Sequence, residues 1–265
     1  MKSTTRALTG AALLLSASSP VWAHDPIFGV GPHVLFKDGM EVSLGIDNES
    51  AGKEDETTLS AELTWGITGD WAAGIELPYR ITDGEDGAGD VALFTKYRFW
   101  RRDSLGLQES AALFAKWIPD TASEALSKQA DDLILGAAWG YEGRKQYRWA
   151  SLRYRINGEN DAGIDRGDRI LVDFVLGWRP NPKGYREPDT VWLLELNGEY
   201  GRQARLNGQD LANSGGSEWF LSPGIFWTQR NFAIKAGVQI PVADNLRGNQ
   251  AASDYRAQID FEWHL

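Results

Sequence analysis

Ionised side chains occupy alternate positions along many segments of this 265-residue chain. In the final segment Arg256, Asp260 and Glu262 alternate with apolar residues. Because successive side chains of a β-strand point to opposite faces, this spacing collects the charges on one face. A charged face enclosed by a sheet suits a narrow, wet passage for small solutes. The candidate lining residues are Glu41, Glu62, Glu76, Lys96, Arg98, Lys116, Arg153, Arg155, Asp173, Glu195, Glu199, Glu218, Lys235, Arg256, Asp260 and Glu262.

The same charges also suit a purely structural role. Neighbouring strands offer opposite charges, and a ladder of ion pairs inside a barrel would hold its shape without lining a passage. Both interpretations remain open from the sequence. The expected pairs are Glu76 with Lys96 or Arg98, Arg153 with Asp173, and Lys235 with Asp260 or Glu262.

Two histidines near the beginning of the chain indicate a second kind of chemistry, metal binding. Cleavage of a leader after Ala23 would leave His24 with a free amine beside its imidazole, and His33 follows in the same segment. Amine and imidazole nitrogens are good ligands for copper. The spacing matches no fixed metal motif, so the prediction of a site at His24 and His33 depends on the fold.

Nucleophilic catalysis has little support in this sequence. A membrane phospholipase would need a serine with a basic histidine within hydrogen-bond reach. The histidines are His24, His33 and His264, and none lies in the middle of a predicted strand beside a serine. Cysteine is absent, and the sequence has neither a phosphate-cradling Gly-Lys motif nor a basic stripe. We expect no enzymatic activity, no cofactor and no nucleic-acid partner.

The elements that would position the charges are twelve strands of roughly ten residues, the length that a tilted membrane strand requires. Each has an apolar or aromatic residue at every second position, and no long apolar run of a membrane helix follows Ala23. The apolar faces run over 40–46, 59–67, 71–77, 91–99, 107–117, 133–141, 150–156, 170–178, 192–200, 219–227, 232–240 and 255–265.

The segments between these strands predict a barrel with two different ends. Short connections are expected at 68–70, 101–106, 142–146 and 228–231, and longer ones at 48–56, 81–89, 119–131, 157–167, 202–216 and 242–254. The long connection 180–189 breaks the alternation. Short periplasmic turns and long outer loops are typical of outer-membrane barrels. Residues 1–23 have the pattern of an export signal, residues 24–38 form a periplasmic or lumenal segment, and residues 39–265 form the barrel.

Aromatic and acidic residues support this orientation. Acidic residues crowd the expected outer loops, whereas the turns carry arginine and lysine, so the mouth would concentrate cations or bind lipopolysaccharide through divalent ions. Indole and phenol rings at strand ends suit the headgroup region. The expected periplasmic belt is Trp65, Trp71, Phe99, Trp139, Tyr141, Trp178, Trp227, Phe232 and Trp263. The expected outer belt is Trp117, Trp192, Trp219 and Tyr255, except that Trp192 belongs to a strand that enters from the periplasm.

Five segments resemble sequences of an outer-membrane transporter family whose description refers to the meta-pathway of phenol degradation. They are HDPIFGVGPHVLFKDGMEV (24–42), GDVALFTKYRFW (89–100), ELNGEY (195–200), WFLSPGIFW (219–227) and AGVQIPV (236–242). The family is related in architecture to hydrocarbon-uptake channels. The resemblance implies a channel or transporter and carries no catalytic residues over to this chain.

Together these observations predict an all-β, antiparallel up-and-down transmembrane barrel in the outer membrane of a bacterium. We expect passive passage of small molecules, including small hydrophobic or aromatic compounds. The alternatives are an occluded structural or binding barrel and, with less support, a lipid-modifying enzyme. The expected partners are outer-membrane lipid and lipopolysaccharide, the barrel-assembly machinery that reads the terminal strand, and a small-molecule solute.

Overall fold

A computed structural model describes residues 25–184 and 187–265 of the chain. The predicted signal 1–23 and His24 lie outside these residues. Within the described part the regular structure is all β, and a search for helices long and apolar enough to span a membrane finds none.

Twelve long strands form the body of the fold. Apolar residues alternate with polar or small ones along them, as a strand with two different environments requires. The strands are β1 Met40–Ala51, β2 Glu54–Thr68, β3 Trp71–Thr82, β4 Ala92–Ser104, β5 Leu107–Ile118, β6 Asp132–Gly143, β7 Gln146–Asn157, β8 Arg169–Trp178, β9 Asp189–Gly201, β10 Gly216–Gln229, β11 Phe232–Leu246 and β12 Tyr255–His264.

The strands form a closed antiparallel ring. Each long strand pairs with the next one along the chain, and β12 pairs with β1, for example Asp260 with Gly45. Closure leaves the ring of described strands without an open edge, which is the condition for a sheet to cross a bilayer. The predicted twelve-stranded antiparallel barrel is confirmed.

The two ends of the ring differ. At the end that carries Met40 and His264, called the turn end, two-residue turns at 69–70, 105–106, 144–145 and 230–231 join the strands. At the opposite loop end lie the connections 83–91, 119–131, 158–168, 202–215 and 247–254. Short strands in them add a strand beside β3 and a small three-stranded sheet. The long connection at the turn end, 179–188, is present as expected.

Two predicted connections are wrong. The expected loop 48–56 is a two-residue turn, because β1 and β2 stay paired up to Ala51 and Glu54. The expected turn 101–106 is also strand up to Ser104. In both places charged residues continue a hydrogen-bonded hairpin beyond the apolar part of the strands, and charge alone therefore does not mark a loop.

The outer surface of the barrel is apolar and aromatic. Large side chains at the predicted outward positions are exposed, including Leu135, Phe174 and Leu176 in the middle of strands. Trp65, Trp71 and Trp178 are exposed at the turn end. Trp192 pairs with Trp178 and therefore belongs to the turn end, which corrects its place in the outer belt. Its strand begins at Asp189, three residues before the first apolar position recognised in the sequence.

Residues Asp25–Asp38, here called the inner segment, precede β1, and all but the exposed Phe36, Lys37 and Asp38 lie inside the ring. Pro26 and Pro32 are fully buried, and Ile27 is 5% exposed. The segment leaves the interior at the turn end, where the Asp38 amide donates to the Gly66 carbonyl at 2.7 Å. Gly66 is close to the segment, since a Cβ there would overlap the Phe36 carbonyl oxygen.

Candidate functional site

Three of the predicted lining residues hold the inner segment. The Glu195 carboxylate accepts hydrogen bonds from the amides of Ile27 (2.7 Å) and Phe28 (3.3 Å). Lys96 forms an ion pair with Asp25, and Arg153 donates to the Phe28 carbonyl oxygen at 3.2 Å. The sequence predicted that these side chains line the interior. It did not predict their bonds to the inner segment, because partners that lie so far apart in the sequence produce no local spacing pattern.

Predicted lining residues also form ion pairs with one another. Arg153 pairs with Asp173 at 2.8 Å and Lys235 with Glu262 at 2.6 Å, as expected. Arg256 pairs with Glu199 at 2.5 Å. The expected pairing of Glu76 with Lys96 or Arg98 is wrong. Glu76 pairs instead with Lys116, which lies two strands away.

The remaining charges divide between the two ends and the middle of the barrel. At the turn end Arg98 binds Asp70 at 2.8 Å and Glu41 lies 2.6 Å from the His264 imidazole. At the loop end Arg155 pairs with Asp132, and Glu218 accepts from the Ser253 amide. In the middle Asp260 accepts from the Gln258 side chain at 2.9 Å and Glu62 from the Thr64 hydroxyl at 2.9 Å.

At least two cavities lie beside the inner segment in the described structure. The loop-end cavity has a volume of about 170 Å³ and is bounded by Phe28, Asp47, Arg153, Glu199, Arg256 and Gln258, among others. The turn-end cavity measures about 300 Å³, and its boundary includes Gly29, Glu62, Phe94, Lys96, Phe114 and Gln258. Each is large enough for several waters or for a small organic molecule. Polar and aromatic side chains therefore line the space that the inner segment does not fill.

One side of the interior is closed by an apolar core that sequence reasoning missed. Ile27 packs there against inward side chains of β7 to β11. A signal was present in the sequence, since these strands carry large apolar residues on both faces near the turn end, whereas a strand between lipid and water alternates. The core residues are Ile27, Tyr147, Trp149, Val175, Val191, Leu193, Phe226 and Ala233.

The predicted metal site involves one described histidine. His33 lies in the inner segment at the turn-end cavity, and burial lowers the pKa of its imidazole to about 4, so the ring is neutral at neutral pH. A neutral imidazole is the form that binds a metal. No cluster of three or more His, Cys, Asp or Glu suited to a metal occurs in 25–184 or 187–265, and His24 lies outside them. The copper site stays a prediction, which copper titration of the chain and of a His33→Gln variant would test.

Comparisons with known proteins agree with this architecture. The family described as "Putative MetA-pathway of phenol degradation" matches residues 68–256. Among solved structures, an outer membrane channel from Pseudomonas putida F1 is similar over 88% of this chain and 98% of its own, with 11% identity and a TM-score of 0.68. The NanC porin is similar over 84% of this chain and 100% of its own, with 10% identity and a TM-score of 0.54. No curated protein matches the sequence.

Proposed function

The chain belongs to the family described as "Putative MetA-pathway of phenol degradation", and from this premise we propose that it is a non-enzymatic channel of the bacterial outer membrane for small molecules. One observation carries the proposal. A closed barrel with an apolar exterior encloses charged side chains and two cavities, instead of a fully packed interior. A wet interior inside a membrane sheet is what passive passage requires.

The location follows from the same surface. The apolar band and its aromatic ends fit a bilayer, and the structurally similar channel and porin support the outer membrane. In this orientation the loop end faces outward, toward lipopolysaccharide, and the turn end faces the periplasm. The terminal strand, with Trp263 and Leu265 on its outward face, is the segment that the barrel-assembly machinery would recognise.

The solute class that we propose is small and partly apolar, and it includes aromatic compounds. The turn-end cavity offers the rings of Phe94 and Phe114 beside the polar side chains of Lys96 and Glu62, so an apolar body and a polar group both find partners there. The words "phenol degradation" in the family description are consistent with such a solute.

An occluded barrel is the second candidate, and the apolar core around Ile27 is the observation that favours it. In such a protein the inner segment would be a permanent filling, and the cavities would hold only water. The two candidates differ in one measurable property, the passage of ions or solutes through the folded barrel.

The test is single-channel conductance of the refolded chain, without its signal, in a planar bilayer. We expect discrete openings, and larger ones when residues 25–38 are deleted. A folded barrel that stays silent in both forms, and that does not let small aromatic solutes into vesicles, would be an occluded scaffold.

A point substitution tests the inner segment without deleting it. In Gly66→Ala the new Cβ would overlap the Phe36 carbonyl oxygen, which belongs to backbone and cannot move aside by a side-chain rotation. We expect a displaced segment and a larger conductance. Gly69→Ala, on the adjoining turn, is the matched control, because no heavy atom lies within 4 Å of its added Cβ. Equal conductance of the two variants would contradict a blocking role for the segment.

A further inference from the structure

The two cavities meet at one side chain. Gln258, on the inward face of β12, borders both the loop-end cavity and the turn-end cavity. Its side-chain amide donates to Asp260 at 2.9 Å, so it is held against the wall. The inner segment lies on the other side, with Phe28 at one cavity and Gly29 at the other. A solute that travels from one cavity to the other therefore passes Gln258.

Near the turn end, the opposite side of the described interior is packed. The apolar core of Ile27 with β7 to β11 fills that side, and its Trp149 and Phe226 are 4% and 2% exposed. The route is therefore confined to the side formed by β12 and β1 to β5. A charged side chain on this side that forms no ion pair would attract or repel a passing ion directly.

In the turn-end cavity one carboxylate, in the described structure, has no basic side chain bound to it. The cationic and anionic neighbours there are paired with each other, whereas Glu62 has no ion pair with any residue in the described parts of the chain. Its hydrogen-bond donor is Thr64. The ion pairs are Lys96 with Asp25 and Lys116 with Glu76, and Glu41 lies 2.6 Å from the His264 imidazole.

The position of Glu62 carries an energetic cost. Glu62 on β2 lies directly opposite Glu76 on β3 in the strand register. Like charges directly opposite each other destabilise a sheet, typically by a fraction of a kcal/mol to about 1 kcal/mol. Lys116, which acts on Glu62 at longer range, is bonded to Glu76. A barrel that only needed stability would gain from glutamine at this position.

The loop-end cavity also has a carboxylate that forms no ion pair with the described residues. Its two arginines are both engaged by carboxylates, and Asp47 has no ion pair with any residue in 25–184 or 187–265. Asp47 lies four residues along β1 from Ser43, the strand neighbour of Glu62. The two carboxylates are thus about 13 Å apart along the strand direction, with Asp47 directly opposite Gln258 in the strand register and Glu62 nearer the turn end. The engaged arginines are Arg153, with Asp173, and Arg256, with Glu199 and at 4.0 Å with Glu49.

From these observations we propose that the cavities are consecutive parts of one path that narrows at Gln258, and that Asp47 and Glu62 make this path selective for cations. The solutes would be small inorganic cations and small organic ammonium ions, whose apolar parts contact Phe94 and Phe114. This inference rests on the proposed function, since it assigns charge selectivity to that channel.

The first test measures the ratio of potassium to chloride permeability from the reversal potential in a KCl gradient. At about 1 M salt the Debye length is about 3 Å, which suppresses the effect of charges at the mouth. We expect Glu62→Gln and Asp47→Asn each to lower the ratio about two-fold or more, and Glu62→Lys to favour chloride. Glu54→Gln removes an equal charge at the exposed loop end of the same strand and should leave the ratio unchanged.

The second test concerns the narrow point. Gln258→Trp should reduce conductance and the vesicle uptake of tetramethylammonium by about ten-fold, because an indole would fill the junction of the cavities. Ile259→Trp adds the same ring on the outward face of the same strand, where the isoleucine is 41% exposed, and should conduct like the parent chain.

The outcomes separate the two claims. A conducting double variant of Glu62→Gln and Asp47→Asn with the parent ion selectivity overturns the inference alone, as does full conductance of Gln258→Trp. If the parent chain and Gly66→Ala are both silent as folded barrels, the proposed function fails, and the inference fails with it.

Discussion

At the scale of single residues, Glu195 shows how a lumenal charge can serve the inner segment. Its side chain is 0% exposed and accepts the amides of Ile27 and Phe28 and, at 3.3 Å, the Asn197 side chain. Hydrogen bonds to a charged group contribute about 1.5–3 kcal/mol each, because the charge strengthens a bond that is shielded from water. Glu195 is therefore a stronger anchor for the segment than a neutral acceptor would be.

Glu195→Gln should weaken this anchor while keeping the shape of the side chain. We expect the inner segment to be destabilised by about 1–2 kcal/mol, since a neutral amide accepts less strongly and adds a donor with no acceptor assigned to it. The measurement is hydrogen exchange at the Ile27 amide, which should become about ten-fold faster.

The control for this prediction is a second buried carboxylate. Glu142 is 4% exposed and accepts from the Trp149 indole, with no hydrogen bond to the inner segment in the described structure. Glu142→Gln should leave exchange at Ile27 close to that of the parent chain. Equal acceleration in both variants would mean that the Glu195 bonds do not hold the segment.

At the scale of strands, two consecutive residues of β9 lie in the two apolar environments of the barrel, the interior core and the outer surface. Leu193 points inward to the core around Ile27 and is 5% exposed, whereas Leu194 points outward and is 44% exposed. Leu193→Ala should cost about 2–5 kcal/mol, because truncation leaves a cavity in a packed core. Leu194→Ala should cost less, since lipid chains fill the space that the side chain vacates. Urea unfolding of the barrel in lipid vesicles measures both values, and a larger cost for Leu194→Ala would contradict an interior core.

The strands themselves were predictable because lipid and the interior impose opposite demands on alternate residues. The terminal strand is an example, with Ile259 and Phe261 outward and Asp260 and Glu262 buried inward. Alternation is a local property, so it can be read from a single segment. Hairpin partners followed from chain order, as the pairing of Arg153 with Asp173 shows.

The interior was less predictable because its contacts are not local. Inside a closed barrel the side chains converge, so Lys116 reaches Glu76 across an intervening strand, and adjacency in the sheet no longer decides the partner. The inner segment has no periodicity, and its bond from Ile27 to Glu195 spans 168 residues. Only the apolar residues on both faces of strands such as β9 indicated that something covers the inner face.

At the scale of the whole molecule, the barrel is asymmetric across its width and along its axis. Across the width, the core with β7 to β11 secures the inner segment, and the cavities lie against the remaining wall. A fixed segment on one side leaves a narrow passage on the other without any part having to leave the barrel. On the proposed path the segment would set the width, and the charges on the open wall would set the selectivity.

Along the axis, the long loops and the short turns should face different compartments. The chain contains no cysteine, so a single introduced thiol reports its own position without background. Gln209 in a loop and Lys145 in a turn are both exposed. In intact cells we expect a membrane-impermeant maleimide to label Gln209→Cys and to leave Lys145→Cys unlabelled until the outer membrane is permeabilised. The reverse pattern would place the turn end outside, and it would move the acidic loops from the outer mouth of the path to its periplasmic exit.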